Sequence, residues 1–443
     1  MKKEIVPGRI LVLAAFLGIL TGLVCVVFQI IPDLIAIFRM EWFSHTEESA
    51  ADYLIIFVTS GCLALFALFL TFRFAPEAGG SGIPEIEGAL DHRRPVRWWR
   101  VLPVKLVGGI ASLGSGMILG REGPSIQIGG NLGKMVADLA LLPRFHSMAL
   151  LAAGGAAGLA AAFNAPLAGI LFVLEELRPQ FRYSFLSVNI VAVTVVTATV
   201  TRRCILDSSP VFSDLPVFST PDVSSYIWFA VLGLLAGIVG VFFNRCVGAF
   251  QDLYLKLHGG RLAKALLLIF PVAGCFGIIS VAAPEAAGSG MMYISGWING
   301  EKGILLLLVL LAVRILGIML CFCSGIPGGI FAPSLAVGTL LGSLLGTVLT
   351  ALDLPFVPES GILAITGMCA IFAASVRAPV TGIVLATEMT NNFQFLLPMM
   401  ITTLTATLLA QKLGGIPIYT QILNRTLRLS AKKEDFNKNS ISR

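Results

Sequence analysis

Residues 10–38, 53–72, 227–243 and 304–322 form four apolar stretches, each long enough for a membrane-crossing helix of about 20 residues. Soluble-core helices of that length carry a polar face, and these carry little. A chain with such segments must be solvated mostly by lipid. The rest of the sequence agrees: its 443 residues are 56% hydrophobic and 13% charged, against roughly 25% charged in soluble domains. The first stretch follows Lys2, Lys3 and Arg9. It is too long for a signal peptide and has no convincing cleavage site, so it reads as a retained span.

The net charge of +6 does not point to nucleic acid. Basic residues gather where spans end: Arg93, Arg94, Arg97 and Arg100, then Arg425, Arg428, Lys432 and Lys433. The positive-inside rule then predicts cytoplasmic termini and an even number of crossings. The eight cysteines are scattered through apolar segments. Cys321 and Cys323 are the one close pair and have no nearby His, so neither a metal site nor a cofactor is expected. His45, His92, His146 and His258 sit near segment ends.

An internal duplication organises the chain. Pro76–Glu77–Ala78–Gly79–Gly80–Ser81–Gly82 recurs as Pro284–Glu285–Ala286–Ala287–Gly288–Ser289–Gly290. Gly120, Pro124, Ser125, Gly129 and Gly133 recur as Gly329, Pro333, Ser334, Gly338 and Gly342. Ala165, Pro166, Gly169, Ile170 and Glu175 recur as Ala378, Pro379, Gly382, Ile383 and Glu388. The pattern predicts one half over residues 1–215, a second over 216–425, and a short polar tail over 426–443. Internal repeats of this kind mark secondary transporters, with the substrate site at the repeat interface.

Gly and Pro interrupt the apolar pattern at residues 79–84, 120–124 and 325–333. Irregular backbone at membrane depth is tolerated only when buried in protein or lining a cavity. Each interruption precedes an apolar helical stretch and so presents a helix N-terminus, which attracts anions. The first and third loops carry no Lys or Arg at their tips, which suits a small anion that must leave quickly. The competing reading is that these glycines only permit close helix packing. Within the second loop stands Glu122. An ionisable group at membrane depth costs roughly 2.5–3.5 kcal/mol and is a functional candidate by default. A carboxylate at a helix N-terminus can take an anion's place, and protonation ends that competition. The plainer alternative is an Arg121–Glu122 ion pair.

The segments Gly80–Ser81–Gly82–Ile83–Pro84, Gly120–Arg121–Glu122–Gly123–Pro124 and Gly328–Gly329–Ile330–Phe331–Ala332–Pro333, with Tyr419 in Ile416–Pro417–Ile418–Tyr419, resemble the signatures of the CLC family of chloride channels and proton/chloride exchangers. The likeness covers nearly the whole chain. Residues 163–169 and 178–183 look specifically like bacterial exchangers. The resemblance implies an all-α polytopic membrane protein of two inverted-topology repeats with broken and tilted helices. It also implies a homodimer with one pore per subunit, in the inner (plasma) membrane.

By position, the resemblance gives Ser81 and Tyr419 hydroxyls to a central chloride, and the backbone N–H groups of Ile330 and Phe331 complete that site. Arg121, Glu122 and Gly123 would frame an outer site, with Glu122 as external gate and proton acceptor. Ser81 resembles the chloride-selective pattern; nitrate-preferring relatives often carry Pro there. Glu176 resembles the internal proton-transfer glutamate of exchangers, which channels usually lack. A proton-coupled chloride antiporter is therefore expected, with a passive chloride channel as the alternative.

Glu175 reads as ordinary helix-end solvation, and its repeat counterpart Glu388 as architecture. Lys105 reads either as a source of positive field or as a structural partner. Ser289 reads as a relic of duplication, and Phe331 stands at the repeat position of Glu122. The 24 residues after Tyr419 leave no room for the paired nucleotide-binding modules of many eukaryotic relatives, so regulation through them is not expected. An intramembrane enzyme is disfavoured because no His or metal cluster accompanies the loop serines. A larger solute is disfavoured because polar groups dedicated to one are lacking.

Overall fold

The computed structural model describes residues 7–177, 184–300 and 302–441, excepting the side chains of residue 7 and of 432–441. Residues 178–183 and the Lys432 and Lys433 side chains lie outside the described residues.

The first half of the sequence holds α1 (Pro7–Ser44), α2 (Ala50–Phe74), α3 (Ile83–Leu90), α4 (Trp98–Gly114), α5 (Glu122–Leu139), α6 (Arg144–Phe163), α7 (Pro166–Glu175) and α8 (Phe185–Ile205). After it come α9 (Tyr226–His258), α10 (Leu262–Ala282), α11 (Ile294–Ile298), α12 (Ile304–Phe322), α13 (Phe331–Ala351), α14 (Ser360–Val376), α15 (Pro379–Thr390), α16 (Leu396–Lys412) and α17 (Ile418–Ile441). Among the described residues, nine helices are long and apolar enough to cross a membrane. They include all four stretches predicted from the sequence. Two shorter apolar helices, α7 and α14, accompany them, so the helix count is not a crossing count.

Small residues set the packing of the interior. A Cβ on Gly129 of α5 would stand 2.0 Å from the Gly154 carbonyl of α6, and one on Gly154 would stand 2.0 Å from the Gly129 carbonyl. Gly133 lies equally tight on the Leu150 carbonyl. The second half repeats the arrangement: a Cβ on Gly338 of α13 would stand 2.3 Å from the Gly367 carbonyl of α14, and one on Gly342 would stand 2.0 Å from the Leu363 carbonyl. Backbones approach this closely only through glycine, the usual device of membrane helix pairs. Around these buried helices, side chains such as Leu54, Phe242, Leu305 and Leu408 stay exposed and suit contact with lipid.

The duplication is visible in backbone conformation. Gly80 and Gly288 have φ of 61° and 60°, and Gly82 and Gly290 have 85° and 87°. These values are strained for any residue with a side chain. The buried cations correspond too. Lys105 Nζ donates to the Ala78 and Gly80 carbonyls at 2.9 and 2.6 Å. Arg314 donates to the Glu285 carbonyl at 2.9 and 2.7 Å and to the Ala287 carbonyl at 3.0 Å. Lys105 is thus a structural partner of backbone carbonyls in the loop leading to Ser81.

Glu175 is not a solvated helix end. Its carboxylate accepts the Val380 and Thr381 N–H groups at 3.0 and 2.7 Å, at the start of α15. Glu388 returns the contact, accepting the Leu167 and Ala168 N–H groups at 3.0 and 2.9 Å, at the start of α7. Each acid satisfies donors that its partner helix cannot pair internally. Replacing either by glutamine should lower stability by about 0.5–2 kcal/mol, the cost of a lost cap. Unfolding of E175Q and E388Q in detergent measures this, and unchanged midpoints would remove the capping role.

Candidate functional site

The three predicted chain breaks meet. Gly80 N–H donates to the Ile326 carbonyl at 3.0 Å, and Gly328 N–H donates to the Gly80 carbonyl at 3.1 Å. Gly120 and Gly329 exchange two N–H···O bonds of 2.7 Å. The breaks therefore satisfy one another where water cannot. Each then opens a helix: α3 at Ile83, α5 at Glu122, α13 at Phe331. The first-turn N–H groups of these helices lack intrahelical acceptors and carry the positive end of the helix dipole. The first helix is shorter than its apolar pattern suggests, with only eight residues, and it carries Glu85 and Glu87.

Ser81 lies in the first break. Its hydroxyl is buried without a protein hydrogen bond, as is the Tyr419 hydroxyl in the first turn of α17. The two hydroxyls approach one another. Buried polar atoms without partners are rare in folded proteins and call for an explanation. Lys105 holds the Gly80 carbonyl from one side, so the trans peptide turns the Ser81 N–H toward the other. Gly123 presses on Ser81: a Cβ there would stand 2.3 Å from Oγ and 2.9 Å from the carbonyl oxygen.

Ile330 and Phe331 are buried at the start of α13. Among the described residues, their N–H groups have no backbone acceptor. The Phe331 ring packs on Phe372 and Phe163, with centroids 4.4 and 5.2 Å away. The next N–H, on Ala332, donates to Glu122 Oε2 at 3.3 Å. Glu122 Oε1 is buried and unpartnered. A charge-assisted bond is usually 2.7–2.9 Å, so this carboxylate rests on the N-terminus of α13 without being held tightly. The plainer reading of an Arg121–Glu122 pair does not stand: Arg121 Nη1 bonds Asp33 Oδ2 of α1 at 2.8 Å.

Glu176 is buried at the end of α7, its N–H on the Phe172 carbonyl at 2.9 Å. It lies within electrostatic range of Glu87, and Tyr419 lies within range of Glu176, Glu122 and Glu87. Glu87 is buried, with one carboxylate oxygen unpartnered. Sequence reasoning passed over it, although the argument that selected Glu122, an acid in an apolar setting, applies to it equally. Asp33 stands within the first apolar stretch and carried the same signal, which sequence reasoning also passed over; Ala332 carried none, because its importance comes from a contact distant in sequence.

If Ser81 and Tyr419 cradle an anion, Gly123→Ala should displace Ser81 and weaken binding. Overpacking of this kind costs about 1–3 kcal/mol, which, falling on the anion-bound form, lowers affinity about five- to 150-fold. Calorimetric titration of the detergent-solubilised protein with halide checks this, and unchanged affinity would exclude Ser81 from the site.

A family profile described as voltage gated chloride channel matches residues 62–411. The H(+)/Cl(-) exchange transporter ClcA of Vibrio cholerae serotype O1 is 47% identical over 430 residues, covering 97% of this chain and 92% of that protein. The protein of the same name from Citrobacter koseri is 48% identical over 433 residues, covering 96% and 90%. Among solved structures, a slow cyanobacterial Cl-/H+ antiporter superposes with a TM-score of 0.90 at 36% identity, covering 95% of this chain and 98% of that one. The multi-pass helical membrane fold, the converging chain breaks and these likenesses agree: this chain belongs to the voltage gated chloride channel family, the CLC family.

Proposed function

We propose that the chain is a proton-coupled chloride antiporter of the inner (plasma) membrane, with cytoplasmic termini and a homodimeric assembly carrying one pore per subunit. The observation that carries this reading is the Glu122 carboxylate lying on the Ala332 N–H. A carboxylate there stands in for an anion at a helix N-terminus. Chloride and the deprotonated side chain compete for one position, and protonation of Glu122 yields it to chloride. That exclusion is the minimum requirement for exchanging the two ions. The names of the relatives and of the similar solved structure support the same chemistry.

In this reading a central chloride takes the Ser81 and Tyr419 hydroxyls and the Ile330 and Phe331 N–H groups. An outer chloride takes the backbone of Arg121, Glu122 and Gly123 when the Glu122 side chain withdraws. Donors without a fixed cation favour turnover over tight binding. Glu176 receives protons on the cytoplasmic side. Glu87 is a second buried acid within electrostatic range of Glu176. Tyr419, in range of all three acids, sits where the two ion routes approach.

In liposomes, an outward chloride gradient should drive protons uphill. Glu122→Ala should keep chloride flux and abolish uphill proton movement, and Glu176→Gln should do the same. Chloride flux with no proton movement in the unaltered protein would favour the passive channel. Retained coupling in E122A would remove Glu122 from its role.

A further inference from the structure

Beside the gate lies a cavity of about 290 Å³ between α1, the loop before α5 and the loop containing Ser289. Its charged lining is Asp33, Arg39 and Arg121. Arg39 Nη1 donates to the Gly114 carbonyl at 2.6 Å, and its Nε is buried without a partner. Arg121 Nη1 bonds Asp33 Oδ2 at 2.8 Å; their side chains are 20% and 51% exposed. Arg202 of α8, outside this lining, lies within electrostatic range of Arg121 and of Asp207. The cavity is thus a positively biased basin next to Glu122, with one carboxylate inside it.

We propose that Asp33 sets the affinity for anion entry: it is a built-in counter-ion that competes with incoming chloride for Arg121 in this cavity. The inference rests on the chloride reading above and adds a residue to it. A concave surface lined by one sign of charge raises the local concentration of the opposite ion, and the Asp33 carboxylate cancels part of that field. Asp33 reaches Arg121 from α1, and its own side chain is half exposed. An anion approaching Arg121 therefore meets a carboxylate that can swing into water, and no buried group need be broken to admit it. Asp33 does not touch Glu122, so it acts on the gate through Arg121 and through the field.

The test is initial chloride uptake into proteoliposomes against external chloride, for the unaltered protein, D33N and D33E. Exposed ion pairs are weak, so the expected change is modest: D33N should lower the half-saturating chloride concentration about two- to fivefold, while D33E stays near the unaltered value. Screening at high ionic strength, set with a salt of an impermeant anion, should erase the difference, because fields of exposed charges decay over about 10 Å at 0.1 M. In an Arg121→Gln background D33N should have a smaller effect, the part carried by the field alone; where R121Q does not fold, the ionic-strength series decides. An unchanged or raised half-saturation in D33N, or a shift that survives high salt, overturns the proposal. These outcomes are separate from those of the antiporter reading, since proton coupling can fail while the D33N shift persists, and the reverse.

Discussion

Hydrogen bonds between chain breaks are the constraint on which the site depends. A backbone group left unpaired in hydrocarbon costs several kcal/mol, so three interruptions at membrane depth would be prohibitive singly. Gly80 paired with Ile326 and Gly328, and Gly120 paired with Gly329, remove that cost by joining breaks far apart in sequence. The same bonds fix where α3, α5 and α13 begin. With those starts fixed, a side chain from one helix, Glu122, can rest on the N-terminus of another.

Architecture is shared between the repeats, and the side chains at corresponding positions differ. The glycine contacts of α5 with α6 recur in α13 with α14. The loop conformations recur to within a few degrees of φ at Gly80 and Gly288 and at Gly82 and Gly290, and a buried cation lies behind each loop. At the first helical position, however, α5 has Glu122 and α13 has Phe331. One is a carboxylate lying on the Ala332 N–H, and the other a ring packed between Phe372 and Phe163. Ser81 keeps an unpartnered hydroxyl, whereas the Ser289 hydroxyl accepts a local N–H from Met291.

Much of this was legible in the sequence. Hydropathy gave four of the nine long apolar helices found among the described residues, because a lipid-facing segment has few compositional alternatives. Gly and Pro marked the breaks, and the duplication showed that the breaks belong to a common design. Contacts between distant segments were not legible. Nothing local distinguishes Glu175 as a cap on α15 or Asp33 as the partner of Arg121, since either acid at a helix end or in a span satisfies the same pattern when solvated. Glu87 was missed for a different reason: it lies in a helix too short to show its burial through periodicity.

The crossed caps of α7 and α15 bear on biogenesis. Leu167 and Ala168 precede Glu388 by 221 and 220 positions. During synthesis, the start of α7 must therefore wait for almost the entire second half before its backbone donors are met. Until then the first-turn donors of α7 lack the carboxylate that meets them in the folded chain. A chain truncated before residue 388 would retain eight of the nine long apolar helices among the described residues and still lack the acid that caps α7.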